Sequence, residues 1–272
     1  MNFNEKMAEY TDKINTALEK VMKESSEITY RAMAYSLLAG GKRIRPVLVM
    51  SCCEALDGDM ELALKYACAI EMIHTYSLIH DDLPCMDNDD MRRGKRSCHM
   101  QFGEASAVLA GDALLNLAFE TALKGPLSNK NYQAACAYMF KMSGIFGLVH
   151  GQSLDLFAET RSVEDATELA IAKTGTLIRA ALVCGALCGG ATNEEVSVFD
   201  EIACKLGVCY QIIDDILDSK KCEKSFLDMY SESDLLDHVR KLNDEIRAAC
   251  DKLPYDLSFI KEFCDQNLAR QK

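Results

Sequence analysis

Prolines stand at only four places in the 272 residues, at positions 46, 84, 126 and 254. Proline is the strongest helix breaker, because its ring removes one backbone hydrogen bond and clashes with the preceding turn. The long tracts between these points are free to run as helices. Within 60–82, Leu62, Tyr66, Ala69, Ile73, Tyr76 and then Ile79 or His80 recur at helical spacing. The tracts 102–123, 131–157, 164–189 and 194–218 repeat that period, and β-branched alternation is hard to find. Each tract exceeds an average globular helix, so a bundle of long packed helices is expected. Polar connectors fall at 56–60, 124–131 and 190–194, with no linker, low-complexity tract or fixed repeat. The expectation is a single all-α domain over 1–272.

Composition narrows the function classes. The chain is 49% hydrophobic and 26% charged, which suits a globule and not a disordered chain. Thirty Lys and Arg against 42 Asp and Glu leave a net charge of −12, which argues against a nucleic-acid backbone as partner. Phosphorylated small molecules stay open, since metals or local basic clusters bind them. Thirteen cysteines with no C-x-x-C spacing point to buried thiols in a reducing, cytoplasmic setting. The opening MNFNEKMAEY is acidic and amphipathic, unlike a signal peptide. The longest uncharged apolar stretch, 180–191, is too short for a membrane span.

The chemistry concentrates in two acidic clusters. Asp81, Asp82, Asp87, Asp89 and Asp90 fall within ten positions around Pro84. Pro84 pushes Leu83 out of helical geometry, which places Asp81 and Asp82 in the last turn of their helix. That is the negative end of the helix dipole, where carboxylates are least favoured without a cation. Two carboxylates ~5 Å apart repel by about 3 kcal/mol at an effective dielectric near 20. An oxygen-rich site of this kind suits Mg²⁺ shared with substrate phosphates; a solvated acidic turn is the plain alternative. The required Gly and distal Glu of an EF-hand are out of register. The second cluster is Gln211-Ile-Ile-Asp214-Asp215-Ile-Leu-Asp218, where Asp214 and Asp218 form an i,i+4 pair on an otherwise apolar helix. Such carboxylates are costly unless paired or metal-bound, although a surface stripe is the commoner fate of such a pair. Two aspartate-rich helix ends in one bundle suggest facing walls.

Basic residues cluster as well. Arg92, Arg93, Lys95 and Arg96 follow the first acidic group, and Gly40-Gly41-Lys42-Arg43-Ile44-Arg45-Pro46 joins two helices. Pro46 suits the first position of the second helix, so Lys42 and Arg45 lie beside a positive helix N-terminus, a candidate anion site. A glycine connector with solvated basic residues fits that segment equally well. No Walker P-loop is present. Lys173-Thr174-Gly175-Thr176 interrupts an apolar helix, where a kink would free carbonyls toward a cavity; a mildly strained core helix is the alternative. Gln152 and Asp155 cap a helix or line the same cavity. His74 precedes Asp81 by one to two turns.

These segments together resemble the trans-isoprenyl diphosphate synthases, most closely the bacterial farnesyl diphosphate synthases. The resemblance rests on GGKRIRP at 40–46, IHTYSLIHDDLPCMDNDDMRRGK at 73–95, GDALL at 111–115, GQSLDL at 151–156, KTGTLI at 173–178 and GVCYQIIDDILD at 207–218. It implies an all-α prenyltransferase fold, a homodimer and an active site in a deep central cavity. It implies that Asp81, Asp82 and Asp87, with Asp214, Asp215 and Asp218, hold three Mg²⁺ ions on the allylic diphosphate. Arg92 matches a contact to that diphosphate. Lys42, Arg45, His74 and Arg93 match the isopentenyl diphosphate site, and Lys173, Thr174 and Gln211 match residues facing the allylic group.

The activity so implied is head-to-tail condensation to farnesyl diphosphate. Alternatives are a geranyl or geranylgeranyl product, or a weakly active subunit regulating a partner synthase. A terpene cyclase has no use for the second set of diphosphate contacts. Tyr76 and Ser77 lie five and four residues before Asp81, roughly 6–8 Å along the helix. In the resembled family an aromatic there accompanies a C15 product, with Tyr76 as floor of the tail pocket; simple core packing is the other reading. One departure is the run Ser219-Lys220-Lys221-Cys222-Glu223-Lys224, short where the family carries a longer basic loop.

Overall fold

The computed structural model describes residues 1–22, 24–126, 128–159, 162–217 and 225–270, and places them in helices joined by short turns. The first, α1 (Phe3–Val21), opens with a reciprocal cap: the Asn2 side chain accepts from the Glu5 N–H, and Glu5 accepts from the Asn2 N–H. It is followed by α2 (Ile28–Leu37) and α3 (Ile44–Ala55). Asp59 then caps α4 (Met60–Asp81), accepting from the Glu61 and Leu62 N–H groups. Further on come α5 (Cys98–Phe102), α6 (Glu104–Ala122), α7 (Lys130–Ser143), α8 (Leu148–Phe157) and α9 (Val163–Ala170). The end of the chain supplies α10 (Thr176–Cys188), α11 (Asn193–Leu217), α12 (Glu232–Cys250) and α13 (Ser258–Leu268).

The central rod is α4. It packs against α3, α6 and α10, and α10 in turn packs against α7 and α11. Tyr66, Ile70 and Ile73 of α4 are fully buried, each removing side-chain area worth roughly 2 kcal/mol. One apolar core runs from Tyr10 through these helices to Cys264. The described cysteines are free thiols and mostly buried; burial pushes the Cys184 thiol well up, so it packs as an apolar group. As one continuous run, Val163–Cys188 is long and apolar enough by composition to cross a membrane, which the uncharged stretch 180–191 alone is not; 78% of its apolar window is buried inside the bundle.

Several expected boundaries move. The tract 131–157 is two helices, because at Gly147 the backbone passes over the Met142 carbonyl so closely that a Cβ would lie 2.1 Å from that oxygen. The tract 102–123 is likewise interrupted by Gly103, whose φ of 85° leaves the helical region. Pro46 sits at the third position of α3 and not the first, still among the turn's unpaired donors. A two-residue ribbon, Met91–Arg92 with Lys95–Arg96, turns through Arg93 (φ 53°) and Gly94 (φ 74°). Positive φ at both turn residues is the hairpin geometry that X-Gly favours, a signal present in the sequence but too short to show as strand periodicity.

Candidate active site

The first acidic group forms where α4 ends. Asp81 is the last helical residue and Asp82 caps it, so both lie at the dipole's negative end as the proline rule required. The chain then turns back, and the Asp87 N–H donates to the Asp81 carbonyl at 2.8 Å, which brings Asp87 beside Asp81. Burial pushes the Asp81 carboxyl up to about 7, against the pull of nearby Lys173 and with the push of Asp87. Asp87 is raised for the same first reason, burial, again opposed by Lys173. Asp82 is 2% exposed and receives Arg92, whose Nε donates to Asp82 Oδ1 at 2.9 Å while its Nη2 reaches Asp89 Oδ2 at 3.1 Å. Arg92 and Asp82 are thus partners of each other, with Asp89 sharing the same guanidinium.

Opposite stands the interrupted helix. Between α9 and α10, Ile171–Gly175 forms a π-helical turn, the kink the KTGT segment suggested. Its Lys173 ammonium binds Asp155 of α8, and both Asp81 and Asp87 hold the lysine's pKa up after burial has pulled it down. Thr174 donates through Oγ1 to Gln211 Oε1 at 2.5 Å, and Gln211 Nε2 donates to Asp215 Oδ1 at 2.7 Å. Asp215 Oδ2 accepts from Ser225 Oγ at 3.1 Å and from the Phe226 N–H at 2.9 Å. The π-turn therefore faces the first acidic group through Lys173 and anchors the second through Thr174 and Gln211.

Asp214 is engaged differently from the expectation. Arg270 Nη2 lies 2.6 Å from Asp214 Oδ1, and its guanidinium stacks 4.9 Å over the Tyr210 ring. A cation at the α11 wall has to displace that guanidinium. Asp218 and Lys224 lie outside the described residues. Among the described residues no three His, Cys, Asp or Glu side chains converge as a ready metal cage. The donors fit Mg²⁺ in kind: they are carboxylate oxygens, and a divalent ion compensates the burial that holds Asp81 up to about 7.

A second, cationic group lies along α4. Arg45 Nη1 sits 3.5 Å from His74 Nε2, and the Arg45 Nε is buried with no protein partner. Burial, and next the neighbouring Arg45, hold His74 well below its ordinary value, so its ring is neutral at neutral pH. Arg93 donates through Nη1 to the Gly40 carbonyl at 2.5 Å, and Lys42 is exposed on the same connector. The connector depends on glycine: at Gly41, with φ 131°, a Cβ would come 3.0 Å from Arg93 Cζ. Arg43, which the sequence did not single out, is buried, and its Nη1 pairs with Glu71 Oε1 at 2.6 Å. Glu71, Asp155 as partner of Lys173, and Arg270 are the residues sequence reasoning missed or left open. A charged residue inside the apolar run ACAIEMI was the available signal for Glu71.

Tyr76 is 7% exposed and meets His80 edge-on at 5.8 Å between ring centres. Burial, then Asp81 five residues further along α4, push its phenol up to about 12. Ser77 Oγ donates back to the His74 carbonyl at 2.9 Å, so its hydroxyl is spent on its own helix. Gly111 of α6 makes room for the His80 ring, since a Cβ there would lie 2.1 Å from His80 Nε2.

Known proteins are similar to this chain in fold and in sequence. A FPP/GFPP synthase from Zymomonas mobilis, solved as an apo structure, superposes with a TM-score of 0.91 at 33% identity, covering 98% of this chain and 99% of its own. Geranylgeranyl pyrophosphate synthase 4 of Arabidopsis thaliana is 43% identical over 226 residues, 81% of this chain and 61% of that protein. A chloroplastic geranylgeranyl pyrophosphate synthase of Catharanthus roseus is 45% identical over 228 residues, 81% of this chain and 63% of its own length. The chain thus spans about three fifths of the length of the curated relatives it matches. The profile described as polyprenyl synthetase matches residues 26–237, from the foot of α2 past the second acidic group, and with an all-α bundle that places its aspartates at two helix ends the chain belongs to the polyprenyl synthetase family.

Proposed function

We propose that this chain is a prenyl-chain-elongating transferase joining isopentenyl diphosphate to an allylic diphosphate, with geranylgeranyl diphosphate as its product. One observation carries the reaction class: a carboxylate group stands at the C-terminal end of α4, while a separate guanidinium group, Arg45 of α3 with its unpartnered Nε and Arg93 of the ribbon turn, lies beside His74 and Glu71 of the same helix. The carboxylates suit a metal-bound diphosphate and the guanidinium group suits a bare one, which a reaction on a single diphosphate would not need. Mg²⁺, when bound, supplies charge that offsets the diphosphate leaving group. Asp81, Asp87 and Asp214 orient that headgroup, and Arg92 adds a cation at its edge. The C–O bond of the allylic substrate breaks with its electron pair going to diphosphate. Thr174 Oγ1 and the loosened carbonyls of the π-turn face the developing positive charge. The double bond of isopentenyl diphosphate, whose headgroup Arg45, His74 and Arg93 hold, then forms the new C–C bond, and a proton leaves to the departing diphosphate.

The C20 product is supported by the names of the relatives above. A C15 product, farnesyl diphosphate, is the second reading, favoured by the bulk of buried Tyr76 five residues before Asp81 on α4. The test is incubation with Mg²⁺, labelled isopentenyl diphosphate and each allylic primer, with product sizing. A C20 product supports the first reading and a C15 stop the second. No turnover with any primer refutes both and favours a regulatory subunit.

A further inference from the structure

Glu71 is a carboxylate in the middle of the apolar face of α4, 2% exposed, one turn before His74. Its Oε1 lies 2.6 Å from Arg43 Nη1 and 4.0 Å from Arg93 Nη2, so two guanidinium groups share one oxygen. Arg43 is buried, and each of its three nitrogens donates within the protein. Its Nε donates to Asn15 Oδ1 at 3.0 Å and its Nη2 to the Leu37 carbonyl at 2.9 Å. It thereby ties α1 and the end of α2 to α4, and it adopts a left-handed φ of 49° to do so. Arg93, with φ 53°, reaches the same oxygen from the ribbon turn and clamps Gly40 through its other nitrogen. Both ends of the Gly40–Arg45 connector thus refer back to Glu71.

The charge balance gives this carboxylate a second consequence. Arg43, Arg45 and Arg93 bring three positive charges, His74 is neutral, and Glu71 brings one negative charge, which leaves +2. Burial pulls both Arg45 and Arg93 down, neighbouring guanidinium groups add to the pull on Arg93, and Glu71 is among the groups that oppose it in both. Without it, three cations crowd a partly desolvated pocket and the most exposed one, Arg93, swings to solvent.

We propose that Glu71 is a positioning residue for the bare diphosphate: it touches no substrate, and through Arg93 and the Arg43-anchored connector it fixes the geometry in which Arg45 and Arg93 take isopentenyl diphosphate. This rests on the transferase reading above. The test separates it from simple electrostatics by sign. A carboxylate that were merely near an anion site would repel the anion, so Glu71→Gln would tighten binding; a positioning carboxylate, once removed, weakens it.

In steady-state assays of the full chain with saturating Mg²⁺, Glu71→Gln raises KM for isopentenyl diphosphate about tenfold and leaves KM for the allylic primer within about twofold. Glu71→Asp, which keeps the charge on a shorter arm, restores part of the loss. A KM for isopentenyl diphosphate that is unchanged or lower, or an equal rise for both substrates, overturns the proposal. If Glu71→Gln does not fold, Glu71→Asp is compared alone and in an Arg93→Gln background, where it adds no further rise if Glu71 acts through Arg93 and a full additive rise if it does not. Calorimetric binding of inorganic pyrophosphate in the presence of chelator is measured on the same proteins. A wild type without prenyl transfer whose pyrophosphate affinity nevertheless drops in the Glu71 variant sinks the transferase reading and keeps the positioning role; an unaltered affinity sinks the role itself.

Discussion

Asp81 shows how one residue couples burial to metal dependence. Its carboxyl is raised by burial to about 7 from an unfolded value near 3.8. Between these values the folded chain holds a proton that the unfolded chain has released. Stability of the metal-free protein therefore falls as pH rises from about 4 to about 7, by a few kcal/mol at most. Asp82 and Asp87 act in the same direction, whereas His74, held low, acts in the opposite one. Comparing wild type with Asp81→Asn isolates the one group. The variant is expected to gain in Tm relative to wild type at pH 8 and to show little difference at pH 5 in chelator, as read by scanning calorimetry. Added Mg²⁺ with pyrophosphate raises the wild-type Tm at pH 8 and not that of the variant. Tyr76 belongs to the same scale. Tyr76→Ala removes a buried ring and is expected to cost about 3–5 kcal/mol of stability. It is also expected to shift product length upward by at least one C5 unit; an unchanged product distribution would leave Tyr76 as core packing only.

The π-turn at Ile171–Gly175 is the element on which the site depends, and it is held by glycine contacts. A Cβ on Gly207 of α11 would lie 2.4 Å from the Gly175 Cα, and a Cβ on Gly151 of α8 would lie 2.4 Å from the Lys173 nitrogen. Both neighbours are backbone, which cannot rotate aside. Gly151→Ala and Gly207→Ala are each expected to destabilise by about 1–3 kcal/mol through overpacking. They also move Lys173 and Thr174, so catalytic turnover falls by more than an exposed alanine substitution elsewhere would cause; equal Tm and turnover to wild type would disprove the contact. Much of this was legible beforehand. Asp81 and Asp82 at a helix end followed from Pro84, and the kink followed from KTGT, because both are local rules. The break at Gly147 and the pairs Glu71 with Arg43 and Arg270 with Asp214 were not legible, since they depend on which distant segments the bundle brings together. The second acidic wall illustrates the limit: nothing local to α11 announces a guanidinium from beyond α13.

At the scale of the whole molecule, the surface carries an apolar strip that the core does not need. On α6, Val108 is 41% and Leu109 55% exposed; between α7 and α8 Ile145 is 62% and Phe146 76% exposed, and at the start of α8 Val149 is 44% exposed. A single exposed Leu is ordinary, but several large side chains on neighbouring elements leave hydration cost that a partner surface would remove. Phe119 of α6 meets Phe140 of α7 with ring centres 4.6 Å apart, so the two helices touch there. The homodimer implied by the resemblance would use such a face, in which the same patch meets itself about a two-fold axis. A stable interface of this type buries roughly 800 Å² per partner. Sedimentation velocity is expected to give a dimer near twice the 30.2 kDa chain mass. Leu109→Asp together with Phe146→Asp places four carboxylates at the two-fold contact, and the expected result is a monomer with unchanged helix content by circular dichroism. The net charge of −12 sharpens the test. Because each chain is already acidic, added carboxylates at the interface repel most at low salt, so dimer recovery with rising salt marks this face as the contact. A double variant that sediments as a dimer at every salt concentration assigns the interface to another surface and leaves the strip unexplained by self-association.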